Sequence, residues 1–318
     1  MTPRASGTAA AVVAPASKTV GLEHVEASPR ASKALADYVI LTKPRLNALV
    51  IASSAAGYYL AARGRPDAWL MAEAVVGTTF VAAGAAVLNQ VYERDTDRLM
   101  ERTRLRPLPD GRVGLADASM FGAALSVAGL ALLATRASRV AAALALATLV
   151  VYLAIYTPMK RRTSLATLVG AVPGALPPLI GWAAAHRATS GLDSGGAALF
   201  AIVFLWQIPH FMAISWLYRD DYANAGFPLL PVIDPDGSRA GRQAVVYAMA
   251  LLPASLMPAL AGVAGVAYAA IATVLGAGLL ALSWRFAVAR TDRAARALFL
   301  GSITYLPLLW IAMIANHS

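Results

Sequence analysis

Nine stretches of about 20 mostly apolar residues recur along this chain, at roughly 43–62, 68–90, 115–136, 138–157, 164–186, 197–218, 242–261, 264–285 and 296–315. Each is long enough for a helix to cross the hydrocarbon core of a bilayer. Inside hydrocarbon a backbone has no water to bond to, so a spanning segment must satisfy its own polar groups. The expected fold class is therefore all-α: a polytopic membrane protein with about nine transmembrane helices around a central cavity opening to the cytoplasm. The chain is 58% hydrophobic and only 14% charged, too few charges to cover a soluble α/β domain. Pro173, Gly174, Pro177, Pro178 and Pro209 fall inside these stretches. Membrane helices tolerate such residues, which mark kinks lining a cavity.

Loop charge gives an orientation. Of the 27 Lys and Arg residues, 22 lie on one side, in residues 1–45, 91–114, 160–162, 218–242 and 285–296, which are the N-terminal end and the loops and helix ends after the second, fourth, sixth and eighth stretches. The other 5 are Arg63, Arg65, Arg136, Arg139 and Arg187. The bias places the N-terminus and the charged loops in the cytoplasm and the C-terminus across the inner (cytoplasmic) membrane. The same distribution answers a net charge of +10. Charge confined to short loops between apolar segments reflects orientation in a lipid bilayer, and no nucleic-acid partner is expected. With no cysteine, neither disulfides nor thiolate metal sites are available. Residues 1–35, rich in Ala, Ser, Pro and Thr, are expected to form a disordered cytoplasmic tail, with 36–318 as the transmembrane domain. The apolar piece Ala9–Pro15 is too short to span and makes a poor signal peptide.

Chemistry collects on the cytoplasmic side. Asn89, Glu93 and Asp97 follow one another at steps of four, which on a helix shares one face; Asp95 falls off it. Oxygen ligands in a row at the edge of a bilayer suit Mg²⁺ shared with a phosphate. The bland reading is a helix end paired with neighbouring arginines. Arg102, Arg104 and Arg106 follow in a loop stiffened by Pro107, Pro109 and an Asp110-Gly111 turn. They can grip phosphate oxygens, or serve topology alone. The same two readings apply to Lys43 and Arg45, and to Lys160 and Arg161. Asp220 and Asp221 form a second acidic pair at the same face, or an ion pair with Arg219. His210 lies 11 residues before Asp221, close to three turns on one continuous helix. A mid-membrane histidine is a functional candidate for heme contact or proton relay, or it bonds a neighbouring helix. Tyr92, Tyr152, Tyr156, Trp206, Trp216, Tyr218 and Tyr222 are expected to shield a carbocation or to serve as interface anchors or packing.

The run Asn89-x-x-x-Glu93-x-x-x-Asp97, followed by Arg102-Thr103-Arg104-x-Arg106-Pro107-Leu108-Pro109, resembles the UbiA-type intramembrane prenyltransferases. Leu41-Thr42-Lys43-Pro44-Arg45, Trp206-Gln207-Ile208-Pro209-His210-Phe211 and Asp220-Asp221-Tyr222-Ala223-x-Ala225-Gly226-x-Pro228 look like the protoheme IX farnesyltransferase (heme O synthase) branch. The resemblance covers about residues 34–316. It implies farnesyl diphosphate and protoheme IX as substrates, and Mg²⁺ held by Asn89, Glu93, Asp97 and Asp221. It implies that Lys43, Arg45, Arg102, Arg104, Arg106, Lys160 and Arg161 hold the diphosphate and that Asn89, Glu93, Asp97, Asp220 and Asp221 are catalytic. It also allows for a downstream heme-modifying or terminal-oxidase assembly partner. Two departures stand out. Glu93 occupies a position that is usually Asp in the family, and no acid lies four residues from Asp220 or Asp221. Prenylation of a quinone precursor, transport through the bundle and non-catalytic heme binding remain alternatives.

Overall fold

The structure, a computed structural model, describes residues 29–63, 65–186 and 193–317. Arg187, Ser318 and the Ala9–Pro15 piece lie outside them. A short helix α1 (Pro29–Leu41) precedes α2 (Pro44–Ala61). Then follow α3 (Ala68–Asp97), α4 (Leu115–Ala137), α5 (Arg139–Met159), α6 (Ala166–Ala185) and α7 (Ser194–Leu217). Two short helices, α8 (Arg219–Asn224) and α9 (Leu230–Ile233), lead to α10 (Ser238–Leu260), α11 (Val266–Ala289) and α12 (Asp292–Ala315). Among the described residues, eight helices are long and apolar enough to cross a membrane. Helix α2 accounts for the ninth expected stretch. It has 18 residues and carries Asn47, Ser53 and Ser54, so it is shorter and more polar than the rest. It is also a packed interior helix, with Ser53 and Ser54 buried.

Two expectations change. Residues 29–35, expected to belong to a disordered tail, lie in helix α1, and residues 1–28 are outside the described residues. Tyr38 packs edge-on against Phe121, and Leu41 is buried with Val87, Leu108, Val113 and Ala118, which gives this segment a surface to fold on. The helix carrying His210 does not continue to Asp221. It stops at Tyr218 (φ −115°, ψ 24°), and α8 starts as a separate helix after that break. The shared face inferred from an 11-residue spacing therefore does not exist.

Side-chain caps start several spans. Asp67 accepts from the Trp69 and Leu70 amides at 3.0 Å, Asp193 from Gly196 at 3.0 Å, and Ser138 from Ala141 at 3.2 Å. The middle of the bundle is α6. In its core window 67% of residues are buried, against 17% for the peripheral α5. Helix α6 packs on α2, α5 and α7; α7 in turn packs on α10 and α12.

Lipid offers no hydrophobic drive between helices, so close backbone approach matters most. A Cβ on Gly57 of α2 would fall within 3 Å of the Pro178 carbonyl on α6. One on Gly181 of α6 would strike the Ser54 carbonyl in return. A similar stripe, Gly77 and Gly84 against Gly122 and Gly129, joins α3 to α4. Gly57→Ala and Gly181→Ala should each lower stability by about 1–3 kcal/mol through overpacking. Gly278→Ala, with nothing within 4 Å, should be neutral or slightly stabilising. Thermal unfolding in detergent checks the contrast, and equal melting points across the three variants would refute it.

Candidate functional site

The row on α3 is a helical stripe as expected, and all three residues are buried: Asn89, Glu93 and Asp97. Each is met by a group from another element. Lys160, just beyond α5, donates to Glu93 Oε1 at 2.8 Å. Arg106, from the loop after α3, donates to Asp97 Oδ2 at 2.8 Å. Lys43 Nζ, before α2, lies 3.5 Å from Asn89 Oδ1. Buried carboxylates demand such partners, because an unpaired charge out of water costs several kcal/mol. Both acids nonetheless keep an oxygen in reserve. Glu93 Oε2 and Asp97 Oδ1 accept no hydrogen bond among the described residues.

Local backbone aims these cations. Lys43 adopts φ 50°, ψ 56°, a left-handed conformation unusual for a residue with a side chain, and unusual again before a proline. Asn47 Nδ2 holds the turn by donating to the Thr42 carbonyl at 2.7 Å. Backbone strain of this kind collects at functional sites. Loss of water around Lys43, reinforced by the Arg106 charge, pulls its ammonium down to about 8. Thr103 Oγ1 donates to the Asp97 carbonyl at 2.7 Å, and Arg98 Nε to the Pro109 carbonyl at 3.0 Å. The arginine loop is thereby folded back over the row.

The second acidic cluster braces this loop from the other side. Asp221 Oδ1 accepts from the Glu101 amide at 3.4 Å. Arg102 lies over the Tyr218 ring at 4.8 Å and the Tyr222 ring at 5.6 Å, and donates to Tyr222 Oη at 3.3 Å. Met100 is buried with Ala225 and Phe227. Arg219 pairs with Asp292 at 3.0 Å, not with either neighbouring acid. Asp220, Arg45, Arg104 and Arg161 are exposed, and the structure does not bring them into this cluster.

Below the row a cavity of about 340 Å³ runs inward between α2, α3, α5, α6 and α7. Lys43 and Asn47 line its polar mouth; Val50, Ala85, Pro173, Pro177 and Phe211 line its apolar wall. Tyr152 and Tyr156 face it, stacked at 5.4 Å on a π-helical turn, Val151–Tyr156. Gln207 also reaches it, its Nε2 donating to the Ala171 and Val203 carbonyls at 3.2 and 3.1 Å. Gly174 leaves the space that Gln207 fills. His210 points elsewhere. Its Nδ1 is 2.9 Å from Ser302 Oγ on α12, and its ring stacks between Trp206 and Phe299 at 5.3 and 5.1 Å. The α7 motif thus divides by face: Gln207 and Phe211 toward the cavity, Trp206 and His210 toward α12. Sequence reading chose the histidine for its chemistry and passed over Gln207 and Thr157, which carry no charge to draw notice.

This arrangement can bind a polyanion at the mouth and an apolar chain below it. Among the described residues no three His, Cys, Asp or Glu groups form a preformed metal cage. Mg²⁺ seldom uses one; it is usually held by one or two carboxylates plus substrate phosphates. The free oxygens of Glu93 and Asp97, with Asn89 Oδ1, fit that demand.

The sequence model of the UbiA prenyltransferase family matches residues 50–311. A relative in Solibacter usitatus named protoheme IX farnesyltransferase is 45% identical over 88% of this chain and 98% of its own length. One of the same name in Anaeromyxobacter sp. is 44% identical over 93% and 98%. Among solved structures, one described as digeranylgeranylglyceryl phosphate synthase superposes with a TM-score of 0.75 at 16% identity, covering 89% of this chain and 98% of that one. A UbiA homolog from Archaeoglobus fulgidus bound to GPP and Mg²⁺ gives 0.57 at 16% identity, over 88% and 99%. With its fold, its buried carboxylate row and these relatives, the chain belongs to the UbiA prenyltransferase family, alongside members named protoheme IX farnesyltransferase.

Proposed function

We propose that this enzyme transfers the farnesyl group of farnesyl diphosphate to a vinyl group of protoheme IX, with addition of water, giving heme O and diphosphate. The observation that carries the reading is the convergence of Asn89, Glu93 and Asp97 with Lys43, Arg106 and Lys160 at the mouth of an apolar cavity, in a chain 45% identical to a relative named for this reaction.

The diphosphate lies against Lys43, Arg106, Lys160 and Arg102, whose charges stabilise it as the C–O bond to the farnesyl carbon breaks. Asn89, Glu93 and Asp97 would hold Mg²⁺, with Asp221, which already accepts from the Glu101 amide of the arginine loop, as a further carboxylate. The metal supplies neutralising charge to the leaving group. The farnesyl chain runs down the cavity, where Tyr152 and Tyr156 turn their faces to the allylic cation and the bilayer-buried wall keeps water away. The heme vinyl group attacks the farnesyl carbon. Water then adds to the resulting cation and loses a proton, leaving a hydroxyl. Arg45, Arg104, Arg161 and Asp220 give the mouth a wider electrostatic field.

We infer that His210 contacts heme on the α12 side of α7, away from the cavity that takes the farnesyl chain. Its Nδ1 is engaged by Ser302, and its Nε2 takes no hydrogen bond among the described residues, the arrangement of an orienting second contact behind a ligand nitrogen. His210→Ala should weaken heme binding at least tenfold and leave farnesyl diphosphate binding within about twofold. Paired titrations, following the Soret band for heme, decide this. Equal heme affinity and an unchanged spectrum would return His210 to a packing role.

Glu93→Ala or Asp97→Ala should abolish product while the protein still folds and inserts, because each removes a hard ligand and strands Lys160 or Arg106. Mass spectrometry of heme extracted after incubation with farnesyl diphosphate and Mg²⁺ is the readout. Full turnover in either variant, or in wild type with excess chelator, would refute the site.

The mouth faces the cytoplasm of a cell whose inner membrane holds the protein. The chain has no native cysteine, so single cysteines can report sidedness. Cysteine at Gly111, in the arginine loop, should label from the cytoplasmic side with an impermeant thiol reagent, and cysteine at Gly262 from the other. Same-side labelling would overturn the orientation.

A further inference from the structure

The π-helical turn at the end of α5 has a consequence for the metal row. An ordinary α-helix cannot continue through Pro158 without a clash at the carbonyl four residues earlier, Ala154. Here the helix widens over Val151–Tyr156, and the Thr157 amide bonds back to the Tyr152 carbonyl. The hydroxyl of Thr157 is bound to that same carbonyl: Oγ1 donates to Tyr152 O at 2.7 Å. Its only proton is thereby committed. What the Thr157 oxygen still offers is lone pairs, and it offers them to Asn89, whose Nδ2 donates to it at 3.2 Å. Thr157 is buried, so water does not compete for the interaction.

The two ends of a carboxamide have nearly the same shape and opposite hydrogen-bonding character. Which end faces which neighbour is decided by those neighbours. An acceptor-only Thr157 admits the NH₂ end of Asn89 and refuses the oxygen. Asn89 Oδ1 must then point the other way, toward Lys43 at 3.5 Å and the open side of the Glu93–Asp97 row. A hard oxygen in that place serves a cation; an NH₂ group there would repel it.

We propose that Thr157 is a positioning residue that fixes the orientation of Asn89, so that Asn89 presents its carbonyl oxygen rather than its NH₂ group to the metal and diphosphate. This rests on the metal-dependent reading proposed above. The chain of control runs from Pro158 to the widened turn, to the Tyr152 carbonyl, to the Thr157 proton, to the Asn89 amide. Arg106 and Lys160, which engage the carboxylates directly, play no part in it.

The test measures metal binding rather than turnover. Purified full-length protein in detergent is titrated with Mn²⁺ in the presence of farnesyl thiodiphosphate, and free Mn²⁺ is followed by electron paramagnetic resonance. Thr157→Val keeps the branched shape and removes the hydroxyl. It should raise the Mn²⁺ Kd about fivefold or more, the scale set by one lost orienting hydrogen bond. Thr157→Ser keeps the hydroxyl and should stay within about twofold of wild type. Heme affinity should be the same in all three, which a general disturbance of the bundle would not leave intact. If valine disturbs the turn enough to prevent folding, Thr157→Ala removes the same hydroxyl with less bulk, and the same loss is expected. Wild-type Mn²⁺ affinity in a folded hydroxyl-free variant would overturn this inference alone, as would a serine variant no better than valine. Absence of Mn²⁺ binding in the wild type would overturn it together with the metal-dependent reading.

Discussion

Two buried carboxylates on one helix, each met by a cation from a different part of the chain, are the constraint on which the mouth of this bundle depends. Glu93 on α3 needs Lys160 from beyond α5, and Asp97 needs Arg106 from the loop after α3. A buried ion pair adds little net stability, yet removing one partner is costly because the other is left charged and dry. The pairs therefore fix where α5 ends and how the arginine loop folds. They also explain how a cluster with such density of charge survives at the edge of hydrocarbon. Each pair is monodentate, so half of each carboxylate remains for a ligand that brings its own charge. In the proposed reaction a diphosphate with its metal would exchange for these contacts, phosphate oxygens taking the cations and the carboxylates the metal.

The apolar part of the bundle follows a different rule. Between helices in a bilayer the gain comes from close contact, and α2 and α6 achieve it with glycines opposite backbone carbonyls. The same α6 carries Pro173, Pro177 and Pro178, which loosen its internal hydrogen bonding; Pro173 and Pro177 line the cavity. Gln207 from α7 bonds one of the α6 carbonyls in this region, that of Ala171. Tight packing on one side of α6 and an open, proline-lined wall on the other are two uses of one helix. The cavity is held open by residues that could not have closed it.

The spans, the row on α3 and the charged loops were legible in the sequence because each is a matter of spacing or composition along one element. The stretch 68–90, with Asn89 at its end and Glu93 and Asp97 beyond it, reads directly as one long helix, and α3 runs to Asp97. What could not be read was which residues meet across elements. His210 and Gln207 sit three apart in one motif, and the choice of the one facing the cavity depends on the packing of α7 between α6 and α12. The break at Tyr218 was hidden for a similar reason. It lies amid residues that permit a helix, and it arises where Arg219 turns to Asp292 on α12 and Trp216 Nε1 donates to the same carboxylate. The departure at Glu93 has its account in the structure too: the longer side chain reaches Lys160 at 2.8 Å.

Polarity of hydrogen bonds carries information that a list of contacts does not. Along the row, Glu93 and Asp97 accept from cations and their orientation is fixed by charge. Asn89 has no charge to orient it, and its neighbour Lys43 stands off at 3.5 Å. Without a further partner the first member of the row would be free to present either end of its amide to a cation, and half the orientations would be repulsive. A threonine whose proton is already spoken for removes that freedom, and a proline that widens the preceding turn supplies the carbonyl that takes the proton. On the proposed reading, Asn89 is oriented by Thr157 and the backbone of α5, as Glu93 and Asp97 are by Lys160 beyond α5 and by Arg106 of the loop.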